Sequence, residues 1–223
     1  NKNLDYSIIE INSALENFDN KKIVIATKLL DQVSKDCEIG DYKLIKKIKG
    51  EDFAKTICSH PFANLGYEYE VPMLEANFVT LEQGTGIVHC APSHGPDDFN
   101  LCLKHGIKSL DTIDDDGKYT KHIKKFEGVH IFKADQIVTE SLKECKKLLA
   151  NGKLTHSYPH SWRSKAPLVH RATSQWFISM EEKDLRKKAL KAIDDTAFYP
   201  ERGRDRIRSM IETRPDWCVS RQR

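Results

Sequence analysis

Gly84-Thr85-Gly86-Ile87-Val88-His89-Cys90-Ala91-Pro92-Ser93-His94-Gly95-Pro96-Asp97-Asp98-Phe99 is the stretch from which the rest of the chain can be read. The glycines flanking Thr85 allow a backbone with φ > 0, or one pressed close against another group. A simple β-turn fits the same pattern. Ile87 and Val88 form a short β-branched run that delivers His89. A proline-glycine turn follows. Pro96-Asp97-Asp98 then suits the first turn of a helix, where proline needs no N–H and carboxylates meet the positive end of the dipole. His89 and Asp98 are expected on two sides of one turn, facing a common small pocket. Each residue alone has a plainer explanation. A histidine after two apolar residues is commonly a hydrogen-bonded core residue, and aspartates at a helix start commonly act as caps. Their combination within one short block marks a site.

Composition sets the frame. The chain has 223 residues, enough to bury a core, with 39% hydrophobic and 31% charged residues. Lys+Arg 36 against Asp+Glu 33 gives +3, too near neutral to argue for nucleic acid alone. The basic residues are uneven: residues 201–223 hold seven arginines and four acids, and residues 183–191 add a second cluster. A solvated helix face and a phosphate-contacting surface both fit. The six cysteines, at 37, 58, 90, 102, 145 and 218, form no Cys-x-x-Cys knuckle and no disulfide framework. Free thiols in a reducing, cytoplasmic setting are expected. There is no apolar leader and no run of the ~18 residues a membrane span needs. The absent initiator Met and the Arg-Gln-Arg end suggest a piece cut from a longer protein.

Around the block, residues 6–11, 21–26 and 42–49 read as strands, the first two forming a hairpin across Asn17-Phe18-Asp19-Asn20. Residues 27–37 read as a helix capped by Thr27. Residues 53–57 suggest a helical turn, and residues 67–74, 78–81 and 87–89 three further strands. Helices are expected from Pro96 to about Gly106, over 134–151 with Gly152 as the stop, and over 184–193 and 204–211. Many short strands with a few helices give an α+β fold with a bent, barrel-like mixed sheet and surrounding helices.

The block resembles the editing domain inserted in the class I isoleucyl-tRNA synthetases. Three later strings share the resemblance: His156-Ser157-Tyr158-Pro159-His160-Ser161-Trp162-Arg163, Arg171-Ala172-Thr173-Ser174-Gln175-Trp176-Phe177, and Arg214-Pro215-Asp216-Trp217-Cys218-Val219-Ser220-Arg221-Gln222-Arg223. It covers nearly the whole chain. The valyl and leucyl editing domains share the Gly-Thr-Gly and Asp-Phe framework but carry other residue types where this chain has His89. The resemblance implies an editing core over 1–160 and, over 161–223, a return segment toward the catalytic nucleotide-binding domain.

It also implies an activity. Isoleucine and valine differ by one methylene, for which an apolar pocket gains ~1–3 kcal/mol, a magnitude established on this same enzyme family and borrowed for this chain. A second, smaller sieve then hydrolyses valine from the isoleucine tRNA. The resemblance assigns Asp98 to the α-ammonium of the aminoacyl group and His89 to the wall that rejects isoleucine. Thr85, Gly86, Cys90 and Ala91 are expected to line the site. His156 and Tyr158, two apart on an extended segment, share a face and are expected near the cleft, although a packed polar corner fits them equally. No Ser-His-Asp or metal signature is present, so direct attack by water is expected; His89 as general base is the competing role. Ser161 and Ser164 stand where some relatives carry a zinc knuckle's cysteines, so no metal is expected. No cofactor is expected in this chain; ATP and magnesium belong to the synthetic site of the whole enzyme. The expected partners are aminoacylated tRNA and the rest of a monomeric synthetase, with no membrane. The family's threonine-rich strand would precede Asn1. A free-standing deacylase and a non-catalytic RNA-binding module are the rival readings.

Overall fold

The computed structural model describes residues 1–12 and 17–220. Its centre is set by β1 (Asp5–Ile11), β2 (Lys22–Ala26) and β3 (Tyr42–Lys49). They pair antiparallel in the order β2-β1-β3, so the three strands and the hairpin read from alternation are present. Because β1 is central, residues on both of its faces are covered: Tyr6, Ser7, Ile9 and Ile11 are all buried. Asn17 and Asn20 take left-handed conformations in the connection, with φ of 69° and 58°. Asparagine tolerates that region where most residues do not. At the other side β3 leaves an open edge, with Lys43, Lys46 and Lys47 exposed beside the exposed Leu44 and Ile45.

Thr27 does not cap a helix. Its hydroxyl pairs with that of Ser7 at 2.9 Å, which satisfies a buried polar group under the sheet. The chain turns once as a 3-10 helix (Thr27–Leu29) and continues as α1 (Leu30–Asp36). Leu29, Leu30 and Val33 pack on Tyr6, Ile9, Ile25 and Ala26. Each such large side chain contributes ~1.5–3 kcal/mol by leaving water.

Residues 53–57 are not the helical turn expected. The Lys49 amide donates to the Asp52 carboxylate at 2.8 Å, which closes the turn earlier, over Gly50–Phe53. Ile57 then opens β4 (Ile57–Ser59), antiparallel to β5 (Glu70–Pro72). The strand expected over 67–74 is this short because Tyr67 is drawn into a second apolar cluster with Phe62 and Phe126. Residues 78–81 and 87–89 join no ladder. Gly84 and Gly86, both at φ +77°, bend the chain, and the Thr85 carbonyl accepts from the Ala26 amide at 2.8 Å as a single link.

Pro96–Lys104 forms α2, as proline and the two aspartates predict. Ala134–Glu144 forms α3, which stops well before Gly152. Lys146, at φ +56°, is the left-handed residue that ends it, with its own amide on the Lys143 carbonyl and the Lys147 amide on Leu142.

By contact the chain divides into two units, Asn1–Ala172 and Thr173–Arg223. Within the second, α4 (Leu185–Asp194) packs on α5 (Arg202–Glu212), and β6 (Phe177–Ile178) pairs with β7 (Trp217–Cys218). The Arg186 guanidinium donates to the carbonyls of Ile211, Glu212 and Arg214, closing the C-terminal end of α5. Part of the basic cluster is thereby spent inside the unit; Arg208 is likewise paired with Asp194 and Glu212. Residues 221–223, the end of the third resembling string, lie outside the described residues. The fold is α+β. Among the described residues the expected barrel-like mixed sheet is instead three small antiparallel sheets, none closed into a barrel. Among them, too, no helix is long and apolar enough to cross a membrane.

Candidate functional site

The Gly-Thr-Gly loop is moored to the β1–β2 hairpin. The Tyr6 hydroxyl donates to the Gly86 carbonyl at 2.9 Å, and Gly86 is buried against Ala26. A Cβ at position 86 would fall inside contact distance of the Ala26 side chain and 3.5 Å from the Tyr6 ring. This is the close approach the glycine permits. The same burial pushes the Tyr6 phenol above its ordinary range. Gly84 has the same φ but open space around it. The Thr85 side chain is exposed, and its hydroxyl donates to the Ile87 carbonyl at 3.1 Å, stiffening the turn.

Beyond the loop, Ile87 packs onto the main core while Val88 and His89 face solvent. His89 makes no hydrogen bond among the described residues. His60 lies near it, and burial first and His89 second hold the His60 imidazole below its ordinary range. Cys90 and Ala91 are half-buried.

Asp98 is half-buried on the first turn of α2, but it is not the helix cap. Gly95 holds that position, and the Asp98 carboxylate reaches back to accept from the Ala91 amide at 2.8 Å. The thiol of Cys90 is pushed up to about 11, first by burial, then by the neighbouring Asp98 and by Cys102. Asp98 therefore has an amide and a neutral thiol beside it.

The structure brings Asp98, Cys90 and Ala91 together, and separately ties Thr85 and Gly86 to Ala26 and Tyr6 of the main sheet. No hydrogen bond or ion pair joins His89 to Asp98 among the described residues. His156 and Tyr158 make their recorded contacts within their own segment. Their rings meet edge to face at 5.9 Å, as the two-residue spacing predicts, and both are exposed. The Tyr158 hydroxyl donates to the Leu168 carbonyl at 2.8 Å, closing a small hairpin of residues 158–168. An open cleft of about 440 Å³ is lined by Asn17, Asp19, Lys21, Cys145, Lys146 and Lys147, none of them in the block.

Two contributors carry no signal in the sequence: the Ala91 amide, which has no residue-type signature, and His94, which is hydrogen-bonded at both nitrogens. A Ser-His-Gly string signals a turn and says nothing about partners elsewhere.

Residues 3–223 match the family model of the class I tRNA synthetases (I, L, M and V). The chain belongs to that family. It is 73% identical over its full length to the isoleucine–tRNA ligase of Pelagibacter ubique, and covers 24% of that protein. It is 42% identical over 99% of its length to the isoleucine–tRNA ligase of Gluconobacter oxydans, and 44% identical over its full length to that of Francisella tularensis subsp. novicida. The chain spans about a quarter of the length of these relatives.

Proposed function

We propose that this chain carries the editing site of an isoleucyl-tRNA synthetase, where valine misattached to isoleucine tRNA is hydrolysed. The observation that carries the reading is the Asp98 carboxylate, half-buried at the start of α2 and held by the Ala91 amide. In this reading Asp98 binds the α-ammonium of the aminoacyl group. Water attacks the ester carbonyl, the bond to the ribose oxygen breaks, and that oxygen takes a proton, releasing valine and free tRNA. The ester is activated, so orientation supplies most of the acceleration. His89 stands at the mouth and excludes the larger side chain; its ring nitrogens are free of protein partners, which also suits the competing role of general base. Thr85, Gly86, Cys90 and Ala91 shape the floor, and His156 and Tyr158 approach the tRNA end.

Residues 1–160 form the editing core and 161–223 the return segment. A threonine-rich strand of the longer protein completes both the pocket and a bent, barrel-like sheet. The whole enzyme is a cytoplasmic monomer that ligates isoleucine to its tRNA with ATP and magnesium at a synthetic site outside this chain. The test is deacylation of valyl- and isoleucyl-tRNA by the full-length protein. Fast release of valine with isoleucyl-tRNA untouched supports the reading, and binding without cleavage of either supports the RNA-binding alternative.

A further inference from the structure

His94 is tied at its amide and at both ring nitrogens. Its amide donates to the Ala91 carbonyl at 2.9 Å, closing the turn before α2. Nδ1 lies 2.9 Å from the His170 carbonyl oxygen and Nε2 2.8 Å from the Thr112 hydroxyl. A carbonyl only accepts, so Nδ1 carries a proton, while Nε2 and the Thr112 hydroxyl form the second bond; the Nδ1 proton is assigned from its partner. Ser93 adds to the knot. It is 6% exposed, its hydroxyl donates to the Leu110 carbonyl at 2.5 Å, and its carbonyl accepts from the Ala172 amide at 2.8 Å. Arg171, between the two, donates to the Ile113 carbonyl at 3.2 Å. Ser93-His94 thus bolts together residues 110–113 and 170–172.

We infer that His94 is a positioning residue for Asp98, acting by holding the loop that carries the Ala91 amide. Asp98 and Ala91 close a ring through residues 91–98, so displacement of His94 moves both ends of the ring at once. Neither ring nitrogen is left for substrate or water, which separates His94 from His89, whose nitrogens have no hydrogen-bond partner among the described residues. The inference rests on the proposed editing reading for its effect on activity, but not for its effect on the loop.

The test uses His94→Ala and His94→Asn in the full-length protein. Asparagine keeps a donor where Nδ1 stands. His94→Ala is expected to raise KM for valyl-tRNA about tenfold, as for loss of well-placed hydrogen bonds, with kcat within about twofold. His94→Asn recovers most of the loss. In an Asp98→Ala background the His94→Ala change adds nothing, because both act through one carboxylate. An unchanged KM, a fall in kcat alone, or an additive double variant overturns the inference. Amide exchange at Ala91 gives a readout that needs no turnover. It is expected to quicken about tenfold in His94→Ala, recover in His94→Asn, and leave the β1 amides unmoved. Unchanged exchange at Ala91 overturns the inference even where deacylation is absent, whereas absent deacylation with quickened exchange sinks only the editing reading.

Discussion

Asp98 and Ala91 close a seven-residue span: the amide of one donates to the carboxylate of the other at 2.8 Å, across the turn that opens α2. The carboxylate is aimed before any ligand arrives, which cuts the ordering cost of binding. Replacing Asp98 by Ala removes a half-buried anion from its cationic partner, a loss of ~2–5 kcal/mol for such pairs. Valyl-tRNA deacylation should therefore fall by about 30-fold or more. A rate within twofold of the parent removes the ammonium-anchor role.

Among the described residues His89 has no hydrogen bond to lose, so His89→Ala should leave the fold's melting temperature nearly unchanged. If its bulk rejects one methylene, worth ~1–3 kcal/mol, the variant should cleave isoleucyl-tRNA about tenfold faster or more. Should valine clearance fail instead, with isoleucyl-tRNA untouched, His89 takes part in the chemistry rather than in size exclusion.

Gly84 and Gly86 share one backbone conformation and differ in surroundings. Gly84→Ala should cost about 1–2 kcal/mol, the strain of a left-handed alanine. Gly86→Ala adds overlap with Ala26 and should cost about 2–5 kcal/mol. Urea midpoints compare them, and equal losses would show that the buried turn yields.

The Cys90 thiol is pushed up to about 11 in the folded chain. Unfolded, a thiol releases its proton near pH 8.5, so between about 8.5 and 11 the folded state binds more protons and stability falls as pH rises. Below that window the contribution is fully present. Iodoacetamide at pH 8 should label the exposed Cys218 before Cys90, with Cys90 catching up as pH nears 11. Peptide mapping reads the order, and early labelling of Cys90 contradicts the assignment.

Arg186 serves three carbonyls at the end of α5. Hydrogen bonds from a charged group contribute ~1.5–3 kcal/mol, so Arg186→Ala should lower the stability of the second unit by about that much. Lysine, a point donor without the fork, should restore only part. Full restoration by lysine would mean that charge, not geometry, is what matters there.

Helix ends show where the sequence can and cannot be read. α1, α2 and α3 all stop on one device, a left-handed residue whose amide and successor bond back to the last turn: Glu38, Gly106 and Lys146. Only the glycine announces itself, so the end of α2 is legible, while the apolar pattern carries α3 past its true stop to Gly152. The hairpin is legible because burial of the central β1 gathers apolar residues there, and β3 is legible from its alternation rather than from burial. Residues 78–89 are not, since a strand exists only if a partner ladder does, and no local pattern signals one. In the site, the block's glycines and the placement of Asp98 on α2 are legible from residue types. The Ala91 amide and the ties of His94 depend on segments distant in sequence.

β3 ends the main sheet with bare peptide groups and two greasy side chains, and Lys43, Lys46 and Lys47 stand along that border. Their like charges keep a second molecule from zipping on, a duty that weakens once salt shortens the Debye length below ~10 Å. Three ammonium groups on an edge strand thus oppose self-association in dilute salt and do so less in concentrated salt.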